Sequence, residues 1–249
     1  MEALDLLTAH RYTEAIDAYR ARLQSEPEHW PSIDGLASAL QASGAYAEAL
    51  PLLERVDAYE RRLPGSPGRK VDMACLYWCL DEHVQAKQFI RAAVDGILDR
   101  SIEFADLAGG VQQGALLYFM GIATQDADAT KFALSYLRKL SRKSRIKYWP
   151  GPVALYLLDQ IDIEALLIAA CGQSNPAEAS RAVEKDILLR RQLCVALFYV
   201  GIRRRAQGHE AECLTWLQAC VALRNPLVEP EWYLAKYEIE KNRTDGATA

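Results

Sequence analysis

A six-residue phrase occurs twice near the start of the chain, and its spacing constrains the fold more than any other feature. Arg11-Tyr12-Thr13-Glu14-Ala15-Ile16 is echoed by Ala45-Tyr46-Ala47-Glu48-Ala49-Leu50. Tyr12 and Tyr46, Glu14 and Glu48, and Ala15 and Ala49 are each 34 residues apart. That period suits two helices and a turn. Such a unit cannot bury its apolar face alone and must stack on a neighbour. The recurrence therefore predicts an all-α chain built from helix pairs.

The helices follow from residue spacing. Residues 12–26 read as one, capped by Thr13, with Tyr12, Ala15, Ile16, Tyr19 and Leu23 on one face and Pro27 as the stop. Residues 31–43 form the next, with Ile33, Leu36, Ala37 and Leu40 inward and Gly44 at its end. Residues 46–61 repeat the first pattern through Tyr46, Ala49, Leu50, Leu53 and Val56. The alanines leave room for two helices to cross closely, while Tyr and Leu fill the wider spaces.

Gly44, Tyr46, Ala49 and Leu53 sit at small-and-large signature positions, and this part of the chain resembles the tetratricopeptide-repeat family. The resemblance implies a right-handed helical-repeat solenoid of about 12–13 helices. It also implies that the first helix of each pair lines a concave groove for protein partners. Continued along the chain, the repeat degenerates. Residues 63–70 read as a loop. A third unit carries Met73, Ala74 and Tyr77, then Ala86, Phe89, Ile90 and Ala93. A fourth carries Leu117, Met120 and Gly121, then Ala133, Leu137 and Leu140. The alanine interval stretches to 37 residues (Ala49 to Ala86) and then to 47 (Ala86 to Ala133). The extra length implies a longer helix through residue 100 or a short inserted one near 101–107, broken by Gly109-Gly110.

Residues 149–172 leave the rhythm, with a short helix from Trp149-Pro150-Gly151-Pro152 through Leu158 and another over 163–170. Phe198-Tyr199-Val200-Gly201 restores it. Gly208 then makes a turn before Cys213, Leu217 and Cys220, and Pro226 stops that helix. This C-terminal half loosely resembles bacterial tetratricopeptide proteins of the NlpI type, which are adaptors. The resulting map is one array over 1–241. Its units fall at about 1–28, 29–63, 69–100, 110–147, an irregular 149–180, and 181–226. A cap helix at 228–241 and a frayed tail at 242–249 complete it.

Charge and composition narrow the function. Apolar residues make up 51% of the 249, enough for a continuous core, and the net charge of −4 is wrong for a general nucleic-acid binder. No basic, apolar leader or uncharged run of spanning length is visible, so the reading is cytoplasmic with no membrane partner. Six cysteines (Cys75, Cys79, Cys171, Cys194, Cys213 and Cys220) lie in apolar helical contexts without a CxxC pair and read as small buried hydrophobes. Cys75, Cys79 and His83 stand at i, i+4 and i+8, but a turn near residue 80 breaks that face and a fourth ligand is not evident. No metal, cofactor or catalytic residue is assigned, since no phosphate loop, HExxH, GxSxG or nucleophile–base arrangement occurs. Asp159 and Asp162 read as helix caps.

Partner-binding residues are chosen from the implied groove and from the basic run. The groove offers Asp34, Gln41, Trp78, Tyr118, Phe198 and Arg205. The run between Arg138 and Lys147 offers Arg138, Arg142 and Arg145 towards an acidic stripe, with Trp149 at the irregular insertion. Aromatic groove positions suit an apolar or amphipathic peptide. The favoured reading is a non-catalytic adaptor, monomeric or weakly dimeric, that binds a peptide or protein. The alternatives are an immunity-type protein that neutralises a toxin and, last, an enzyme or small-molecule binder.

Overall fold

A computed structural model describes residues 2–62, 68–102, 106–172, 182–224 and 229–247. The described residues contain helices and no strands. The chain divides into two compact units. One comprises Met1–Ala93 with Ser101–Glu103, the other Val94–Arg100 with Phe104–Ala249.

The first unit holds α1 (Ala3–Thr8), α2 (Tyr12–Ser25), α3 (Trp30–Ser43), α4 (Tyr46–Glu60), α5 (Lys70–Cys79) and most of α6 (His83–Leu98). Successive helices from α1 to α5 pack on one another. The paired alanines sit where the repeat put them: Ala15, Ala49 and Ala86 are all buried. Gly35 of α3 lies under the Tyr19 ring of α2, and a Cβ there would stand 2.5 Å from Tyr19 Cε1. Gly44 ends α3 in the left-handed region (φ 89°), with its N–H donating to Gln41 O at 3.1 Å. One detail differs from expectation. The α2 N-cap is Arg11 rather than Thr13, and it makes no side-chain capping bond. Arg11 instead donates from Nε to Glu14 at 2.7 Å, across the first turn. Residues 63–67 of the expected loop lie outside the described residues.

The second unit holds α7 (Val111–Ala123), α8 (Ala127–Ser141), a 3₁₀ turn (Ser144–Lys147), α9 (Gly151–Leu157), α10 (Ile163–Gly172), α11 (Ala182–Ala206), α12 (Glu210–Ala222) and α13 (Pro230–Ala247). Gly109 and Gly110 take positive φ (89° and 101°) and turn the chain into α7. Asp106 accepts from the Gly110 and Gln112 N–H groups at 2.9 and 3.0 Å, quenching the open end of that helix. Asp126 caps α8 on Ala129 N and Asp162 caps α10 on Ala165 N. Asp159 is not a cap. It adopts a left-handed backbone (φ 60°) and pairs with Arg203. Phe198 stacks edge-on against Phe119 at 5.1 Å, joining α7 to α11.

Three further expectations change. α11 is 25 residues long, far longer than a repeat helix, because no Gly or Pro interrupts it before Gly201. α13 continues to Ala247, past the point where a tail was read from 242. Cys171 is exposed, near the open end of α10, whereas the other five thiols are buried. Two of those five, Cys194 of α11 and Cys220 of α12, meet at 3.2 Å. The expected stop at Pro226 lies outside the described residues.

Candidate functional site

The first unit concentrates charge around one guanidinium. Arg69, just ahead of α5, reaches Asp34 of α3 and Glu60 of α4, each at 2.9 Å, and Asp72 of α5 at 3.5 Å. Three carboxylates around one cation leave a negative surplus. Burial pushes the Asp72 carboxyl up to about 6, although about a quarter of its side chain is accessible. Arg69 opposes the rise, and Asp34 and Glu60 add to it. Asp34 is therefore already engaged within the unit.

The second unit carries a groove of about 890 Å³. Its walls come from the C-terminal end of α7 (Ile122), α8 (Lys131, Leu134, Arg138), the end of α11 (Arg205) and α13 (Lys241). α7 and α8 approach closely because Gly121 faces Thr130, where a Cβ would meet Oγ1 at 2.5 Å. Lys131 and Arg138 are exposed and have no ion-pair partner among the described residues. Arg205 is different. It donates from Nη2 to Glu210 at 2.8 Å and from Nη1 to Glu238 at 2.5 Å. Burial alone would lower its pKa, but the Glu210 hydrogen bonds and the Glu238 charge raise it above the usual value. Arg205 thus braces the groove floor and is not open to a guest.

The sequence-derived candidates separate in the fold. Trp78 is 1% exposed, Tyr118 6%, Phe198 0% and Gln41 8%, so these four are core side chains and not groove contacts. The reason is geometric. An apolar residue on the inner helix of a pair serves the groove or the core depending on a rotation of a fraction of a turn, and periodicity alone does not resolve that. Trp78 packs against His83 at 4.1 Å between ring centroids, and α6 begins at His83, so Cys75, Cys79 and His83 do not share one helix. Among the described residues, no group of three or more His, Cys, Asp or Glu side chains is placed to hold a metal. Of the basic run, Arg138 lines the groove, while Arg142 and Arg145 are exposed beyond it. No helix among the described residues is long and apolar enough to cross a membrane.

A second hollow in the same unit, of about 350 Å³, was not foreseen. Leu188, Arg191, Gln192, Val195 and Tyr199 line it from one face of α11, at the spacing of successive helical turns. Trp149 and Val153 face them, and Glu229 and Glu231 close one side at the start of α13. Glu229 accepts from Arg191 Nε at 2.6 Å, and Glu231 accepts on Oε1 from the Tyr199 hydroxyl at 3.1 Å. Burial first, and the neighbouring Glu229 charge second, push the Glu231 carboxyl up to about 8. In the sequence, Glu229-Pro230-Glu231 has the look of an ordinary acidic helix start, which hid it.

No family model matches the chain, and no curated protein is detectably similar to it.

Proposed function

We propose that the chain is a non-catalytic interaction module whose second unit docks an acidic, amphipathic peptide or an acidic stripe of a partner protein. The observation that carries this reading is the groove in which Lys131 and Arg138, without an ion-pair partner among the described residues, stand beside apolar Ile122 and Leu134. An acidic guest neutralises two cations there without having to break an existing ion pair, and the aliphatic wall takes its apolar face. The packed helices α2/α3, α3/α4 and α7/α8, with Ala15 of α2, Ala49 of α4 and Ala133 of α8 all buried, support reading the units as degenerate tetratricopeptide-type repeats.

Fluorescence polarisation with labelled acidic amphipathic peptides tests the docking. The wild-type chain should bind them and lose affinity as salt rises. The double reversal Lys131→Glu with Arg138→Glu should weaken binding by roughly tenfold or more, with the melting temperature kept, since both side chains are exposed. Equal binding of basic and acidic peptides, or no change on reversal, would sink the proposal.

A further inference from the structure

The smaller hollow has features that the docking groove lacks. Its lining brings three carboxyl groups, Asp106, Glu229 and Glu231, against one guanidinium, Arg191. Two of the three are accounted for. Asp106 is held by the backbone N–H groups at the start of α7, and Glu229 by Arg191. Glu231 is not. It is fully buried, its Oε1 accepts from Tyr199, its carboxyl lies against that of Glu229, and its Oε2 has no hydrogen-bond donor among the described residues. A buried carboxyl oxygen without a partner is costly, and chains rarely keep one without a use for it. The rest of the lining is largely apolar and aromatic, through Trp149, Val153 and Val195. The volume admits a molecule of roughly ten heavy atoms.

We propose that this hollow binds a small amphipathic cation, with its ammonium on Oε2 of Glu231 beside Glu229 and its apolar body against Trp149, Val153 and Val195. The surplus of carboxyl groups selects a cation over an anion. The site is distinct from the docking groove and does not rest on it.

Proton accounting gives the site a signature. Near pH 7 the Glu231 carboxyl, pushed up to about 8, is largely protonated. An arriving ammonium favours its ionised form, so binding releases close to one proton per ligand, by roughly the fraction protonated one unit below the pKa. Affinity should rise between pH 6 and 8 and flatten above. The other titratable groups that face or flank Glu231 are Asp106 ahead of α7, Arg191, Cys194 and Tyr199 on α11, and Glu229 ahead of α13. Cys220 of α12 stands behind Cys194.

Titration calorimetry of the full chain tests this, with phenethylammonium, n-butylammonium and cadaverine as probes. Phenethyl alcohol and 3-phenylpropionate serve as neutral and anionic counterparts. Runs at pH 7 in phosphate and in HEPES, a zwitterion of different ionisation enthalpy, count the protons. We expect at least one ammonium probe to bind with proton release, and Glu231→Gln to weaken it by about tenfold or more and abolish the release. The wild-type proton count stands even where that variant folds poorly. Three outcomes would overturn the proposal: no ammonium binding up to about 10 mM, equal affinity for the alcohol, or tighter binding of the carboxylate with proton uptake.

Discussion

Arg69 in the first unit and Arg205 in the second perform the same task with different surroundings. Each guanidinium joins three stretches of chain through carboxylates. Arg69 reaches α3, α4 and α5; Arg205, on α11, reaches the start of α12 and the middle of α13. Arg205 is the more enclosed, and Glu238 beside it is buried. Arg69 is more open and is outnumbered three to one by its carboxylates. The contrast shows two ways to tie helices with charge. One trades water for close contacts from a single guanidinium to two carboxylates. The other stays near solvent and tolerates a surplus of like charge, at the expense of a raised Asp72 pKa.

The largest effect should follow from Arg205→Ala. It takes the guanidinium away from the buried Glu238, and denaturant unfolding should register a loss of about 3 kcal/mol. Arg69→Ala should cost less, roughly 1–2 kcal/mol, because water reaches the carboxylates it abandons. If the two losses were equal, the difference in enclosure would not be what separates the two arrangements. The smallest effect concerns Asp72. Its folded pKa of about 6 lies above the ordinary carboxylate value, so the folded form holds more protons between about 4 and 6. Stability from this group is therefore greatest at low pH and lost as pH rises through that window. Asp72→Asn should remove this slope and stabilise the chain at pH 7 by less than about 1 kcal/mol, given its partial exposure. Melting curves of wild type and variant across pH 4–7 read the difference directly.

Legibility in the sequence divided along physical lines. Helix ends marked by backbone geometry were readable, because Gly44 and Gly208 supply positive φ that few other residues tolerate. The buried alanines were readable because close crossings require small side chains. The aromatic candidates were misplaced: Trp78, Tyr118 and Phe198 obey a periodicity that core and groove share. Cys171 shows the same ambiguity from the other side, as an apolar neighbourhood in sequence that the fold leaves open to solvent. The two glutamates of the small hollow were hidden because acidic residues at a helix start ordinarily need no further explanation. Only the fold reveals that α11 and α13 have shut them away from water.

The unbroken length of α11 has a mechanical consequence. At about 1.5 Å per residue its 25 residues form a rod of roughly 37 Å. Arg205 lies at the groove end, and Arg191 stands roughly 20 Å back along the axis, at the hollow. No small ligand spans that distance, so the two sites accept different guests. They nevertheless share one strut, and its central amides, around Ala196 to Gly201, are where deuterium uptake would register a load applied at either end.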